Sequence, residues 1–99
     1  MIKVEIKKNQ ILIKGHADYA EFGKDIVCAA VTSIVTTTVN AIIRLDSNSI
    51  SFKNESGLIE ITIKKHSDLV DTLILNMTEL LKDLEKKYKK NIKINEEVL

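Results

Sequence analysis

The chain has 99 residues, of which 44% are hydrophobic and 29% charged, with a formal net charge of +1 and one cysteine. That length is a single domain, residues 1–99, and that apolar share excludes a disordered chain. The lone cysteine excludes an internal disulfide, and with no apolar run expected to span a bilayer and no signal segment at the start, a cytoplasmic protein is expected.

The first segment, IKVEIK, alternates. Ile2, Val4 and Ile6 point one way, and Lys3, Glu5 and Lys7 the other, which is a half-buried strand. Lys8-Asn9-Gln10 makes a turn. Ile11 and Ile13 resume the alternation in a second strand that runs into Gly15. Residues 16–23 follow neither period and end on Gly23, so they read as a loop.

From about Lys24 to Leu45 the pattern is helical, without Gly or Pro. Its β-branched run, Val31 to Val39, lowers helix propensity, so packing must compensate. Ile26, Val27, Ala30, Val31, Ile34, Val35, Ile42 and Ile43 cover more than one face. A helix this apolar is expected to meet the sheet on one side and a second helix or a second subunit on another.

Asp46, Ser47 and Asn48 mark a turn. Ile50 and Phe52 give a third strand, and Asn54 to Gly57 carries hairpin chemistry. Ile59, Ile61 and Ile63 form a fourth strand. Ser67 caps a second helix, with Asp68 and Asp71 in its first turn. Its apolar stripe runs through Leu69, Val70, Leu73, Ile74, Met77, Leu80, Leu81, Leu84 and Tyr88. Ile92 and Ile94 suggest a short final strand. The order ββαββαβ predicts an α+β fold: a mainly antiparallel sheet packed with two long helices.

Cys28 falls in the first turn or so of the first helix. There the unpaired N–H groups and the helix dipole favour an anion. The thiolate is the nucleophilic form of cysteine, so a reactive cysteine belongs at such a place. The same N–H groups suit the oxyanion of a tetrahedral intermediate. His16 leaves the second strand twelve residues upstream. If the loop folds back over the helix start, its imidazole reaches the sulfur as base and then as acid. The plainer alternatives are a buried small hydrophobe for Cys28 and a loop residue for His16.

Asp25, Cys28 and Thr32 stand at i, i+3 and i+7, on one helix face. Asp25 either orients His16 or caps the helix. Thr32 either supports the site or back-bonds to the helix carbonyl four residues earlier. Gly15 and Gly23 bracket the loop and suit a segment that opens and closes. Tyr19 and Phe22 on that loop suit an apolar lid or a wall for aromatic substrate side chains, or else simply pack it onto the domain.

Other chemistries fit less well. One Cys and two His are too few for a zinc site, and no phosphate-binding glycine motif is present. No metal or cofactor is implied. Lys82, Lys86, Lys87, Lys89, Lys90 and Lys93 cluster near the end. Without interleaved aromatics they read as a solvated helix end, and no direct nucleic-acid binding is expected.

"GH" at 15–16, "GKDIVCAAVT" at 23–32 and "VNAI" at 39–42 resemble the ribosomal-processing cysteine proteases, the Prp or YsxB-like family. The likeness spans nearly the whole chain. It implies a bacterial endopeptidase needed for ribosome assembly. Its substrate is a large-subunit ribosomal protein, the one numbered twenty-seven, cut after an apolar, Phe-rich N-terminal segment. By position, the resemblance makes Cys28 the nucleophile, His16 the base, Gly15 part of a mobile loop and Asp25 the associated acid. Members usually carry Ser where this chain has Thr32. The family forms homodimers, in keeping with the over-apolar first helix. The alternative function is a non-catalytic dimeric ribosome-associated binding module. A weaker third is a redox sensor using Cys28, which would need a mixed or intersubunit disulfide.

Overall fold

The computed structural model describes residues 1–21 and 23–97; Phe22, Val98 and Leu99 lie outside them. Seven elements follow one another: β1 (Ile2–Ile6), β2 (Gln10–Lys14), α1 (Ile26–Leu45), β3 (Ile50–Glu55), β4 (Leu58–Ile63), α2 (Asp68–Lys87) and β5 (Ile92–Glu96). The order is ββαββαβ, as the patterning predicts. The five strands form one sheet in the order β3-β4-β2-β1-β5. All pairings are antiparallel except β1 with β5.

Register follows the two-residue alternation. Val4 faces Ile13, Ile13 faces Ile59, and Ile2 faces Ile92. One face of the sheet is therefore Ile and Val, and those side chains are buried beneath the helices. The other carries Lys3, Glu5, Lys14, Lys53 and Lys93 toward water. A one-residue slip would exchange the two faces, so the burial itself holds the register.

α1 docks by Val27, Val31, Val35, Thr38, Val39 and Ile42. This packing overrides the weak propensity of its Thr-rich middle, where the Thr38 hydroxyl donates back to the Ile34 carbonyl at 2.9 Å. The expectation of no membrane-length apolar run needs correction. α1 has 20 residues and a mean hydropathy of 2.0, enough by length and composition to cross a bilayer. Uncharged threonines keep the run unbroken, and here its valine stripe is buried inside the domain. Ile26, Ile43 and Leu45 remain exposed.

α2 starts as read, with Ser67 accepting the Val70 N–H at 3.2 Å. Its buried stripe is narrower than expected: Val70, Ile74, Met77, Thr78 and Leu81. Leu69 and Leu80 stand at its edge and are exposed. The two helices pack on each other, α1 toward β3 and α2 toward β5. His66 ties the β1–β2 turn to the start of α2, within 2.7 Å of Asp71 Oδ1 and of Asn9 Oδ1.

The pairing also explains where a site can form. β2 ends, and β1, β4 and β5 begin, at one end of the sheet. Met1, Gly15, Gly57 and Asn91 therefore gather there although they are far apart in sequence. Gly15 seals this corner. Its N–H donates to the Gly57 carbonyl at 2.9 Å. Its φ is +90°, and a Cβ would stand 2.5 Å from the Met1 carbonyl oxygen.

Candidate active site

A cavity of about 630 Å³ opens at that corner. Its walls are the loop after β2, the first turns of α1 and the β3–β4 hairpin. Ile2, Ile13, Val31, Leu58 and Ile59 give it an apolar lining. His16, Asp25, Cys28 and Glu55 supply its chemistry.

Cys28 is the third residue of α1 and is half-buried. Its sulfur accepts the Ala17 N–H at 3.3 Å. The sulfur thus lies between that backbone donor and the N-terminal turn of α1.

Asp25 is the N-cap of α1. Its Oδ1 accepts the N–H groups of Val27 and Cys28, both at 3.0 Å. Its Oδ2 accepts those of Tyr19 at 2.9 Å and Ala20 at 3.4 Å. Burial pushes this carboxyl up, but the four backbone donors outweigh it and hold Asp25 below the usual carboxylate value. So Asp25 caps the helix and ties the loop to it, and neither oxygen is bonded to His16. Of the first-turn N–H groups expected to suit an oxyanion, those of Val27 and Cys28 are bonded to Asp25, and the donor at the sulfur is the Ala17 N–H.

His16 is exposed on the loop and lines the same cavity as Cys28. Its ring rests on the hairpin turn: a Cβ on Gly57 would be 3.2 Å from its Nε2. Among the described residues no hydrogen bond joins His16 to Cys28. Thr32 lines the cavity one turn beyond Cys28, and Gly15 and Gly23 line it from the loop. Tyr19 is not among the lining residues. Its ring packs edge-on against Tyr88, with centroids 5.5 Å apart and planes at 87°. The assignment of Phe22 to a lid falls outside the described residues.

The sequence reading missed three contributors: the hairpin wall Asn54–Leu58, the Ala17 amide and Asn91. Ala17 is 1% exposed, although every described neighbour from Gly15 to Glu21 is exposed. The Asn91 side chain donates to its carbonyl at 2.9 Å. The Asn54–Gly57 turn chemistry states the hairpin itself, but nothing in it places Gly57 against Gly15.

At the opposite edge, Lys82 binds Glu96 at 2.7 Å. That hydrogen bond, reinforced by the carboxylate's charge, holds the ammonium above its usual value. This member of the lysine cluster is thus paired within the domain.

Residues 1–93 match the family model described as "Cysteine protease Prp". The ribosomal processing cysteine protease Prp of Staphylococcus aureus is 33% identical over 96% of this chain and 98% of its own length. That of Mycoplasma genitalium is 33% identical over 98% and 97%. The crystal structure of the S. aureus protease with a covalently linked product peptide superposes with a TM-score of 0.88 at 29% identity, covering 98% of this chain and 100% of that one. The same protease with a substrate peptide gives 0.79 at 26%, covering 97% of each.

Proposed function

The chain belongs to the Prp family of cysteine proteases, and from that premise we propose that it is an endopeptidase acting through Cys28 and His16. Its substrate is the N-terminal extension of the large-subunit ribosomal protein numbered twenty-seven, cut after an apolar, Phe-rich segment before ribosome assembly in the cytoplasm. One arrangement carries this reading. His16 and Cys28 face a single cavity, and the sulfur sits at a helix N-terminus under a backbone donor.

The chemistry runs in two stages. His16 takes the thiol proton, and the Cys28 sulfur attacks the scissile carbonyl. The tetrahedral oxyanion forms beside the sulfur, where the Ala17 N–H points. His16 then gives its proton to the departing amine, and an acyl-thioester remains on Cys28. Water, deprotonated by His16, releases the N-terminal peptide and restores the thiol. The ring and the sulfur close up when the peptide binds, since catalytic hydrogen bonds often tighten only in the complex.

The apolar lining beside Cys28 suits a phenylalanine side chain. Asp25 holds the helix start, and Thr32 edges the cavity as a supporting hydroxyl. The homodimer is the state the family resemblance implies, and it would cover exposed apolar side chains at the end of α1, Ile43 and Leu45. A peptide carrying the Phe-rich extension tests the assignment. Wild type should cut it, and Cys28→Ala and His16→Ala should not. Full cleavage by Cys28→Ala would end the reading.

A further inference from the structure

Two peptide groups flank the Ala17 Cα, and each has one side-chain partner. The N–H before it donates to Cys28 Sγ at 3.3 Å, and the carbonyl after it accepts Asn91 Nδ2 at 2.9 Å. Asn91 is itself fixed. Its N–H donates to the Tyr88 carbonyl at 2.9 Å, and its carbonyl accepts the Ile2 N–H at 2.8 Å. It therefore sits at the junction of α2 and β5, laced to β1. Ala17 is the one buried residue in the described run from Gly15 to Glu21, so the loop is anchored through it. His16 precedes Ala17 directly, and any drift of the anchor moves base and donor together.

We propose that Asn91 is a positioning residue for the cysteine chemistry: its side-chain amide pins Ala17 so that the Ala17 N–H stays aimed at the Cys28 sulfur. The inference rests on the reading of Cys28 as the nucleophile. Asn91 acts through Ala17 and touches neither sulfur nor substrate. An amide nitrogen is needed because the group it meets is a carbonyl oxygen. A carboxylate of the same shape would repel that oxygen and push the loop outward.

Cys28 is the single cysteine, so alkylation by iodoacetamide reports it alone. The rate is followed against pH in Asn91→Ala, Asn91→Asp and Asn91→Ser, with folding checked by circular dichroism. The titratable groups sharing the cavity with the sulfur are His16, Asp18, Asp25 and Glu55, and all four stay in place. Ile92→Val is the structural control, since it trims a buried side chain at the same junction. The expected result is alkylation about tenfold slower near neutral pH in the Asn91 variants, the scale of a weakened hydrogen bond to an anion. The half-plateau pH should rise, the high-pH plateau should stay, and Ile92→Val should keep the wild-type profile. Unchanged profiles in the folded Asn91 variants would overturn the proposal. So would an equal shift in Ile92→Val, which would make the effect merely structural. This readout needs no proteolysis. If Cys28→Ala still cut peptide, the protease reading would fail while the alkylation series still decided the role of Asn91.

Discussion

Gly57→Ala separates two physical effects at one position. The first is strain. Gly57 has a φ of +72°, a region that disfavours a Cβ by about 1–2 kcal/mol. For a domain of this size such a loss lowers Tm by roughly 4–8 °C per kcal/mol. The second is displacement. The new methyl would stand 3.2 Å from His16 Nε2 and 3.7 Å from Cε1, so the ring must give by a few tenths of an ångström. Misplacing a catalytic group by about 1 Å can lower a rate about 100-fold, so a smaller shift should lower it about tenfold. Gly23→Ala supplies the comparison. Its φ is +86° with nothing within 4 Å, so it carries the strain alone. Thermal melts should show similar losses for the two variants. Peptide cleavage per folded molecule, read as kcat/KM, should fall further in Gly57→Ala. Wild-type kcat/KM in Gly57→Ala would refute the hairpin's role as the seat of His16.

Asp25→Ala removes a cap that takes four backbone N–H groups, and should destabilise the domain by about 1–2 kcal/mol in urea titrations at neutral pH. The folded carboxyl lies below its unfolded value, so its contribution is fully present above the unfolded value and fades as pH falls through the folded one. Urea melts repeated down the acid range should therefore show a smaller acid loss in Asp25→Asn than in wild type. Gly15→Ala should be the most damaging glycine change. Its Cβ would meet the Met1 carbonyl oxygen at 2.5 Å, with φ at +90°, and a loss above about 2 kcal/mol by thermal melting is expected.

The parts of the fold that repeat locally are legible. Alternation in Ile2–Ile6 and Ile59–Ile63, and the Ser67 cap, each state their element within a few residues. Membrane-length apolarity in α1 is less legible, because threonine breaks the run of apolar letters but leaves the mean hydropathy at 2.0. Cys28 and Asp25 are legible for a similar reason: helical spacing and capping chemistry act over a few positions. Asn91 is not. It lies 74 residues from Ala17, and only the parallel pairing of β5 with β1 brings them together. The same holds for Gly57, placed at Gly15 by the β2–β4 register. Tyr19 shows a third limit. The pattern marks it as an aromatic on a loop, but only the fold puts Tyr88 beside it.

Mass spectrometry of a rapidly quenched reaction tests the nucleophile most directly. With the Phe-rich peptide, the chain should gain the mass of the N-terminal fragment less one water, mapped to the Cys28 sulfur and absent in Cys28→Ala. Cleaved peptide forming at full rate with that sulfur never acylated would contradict the assignment.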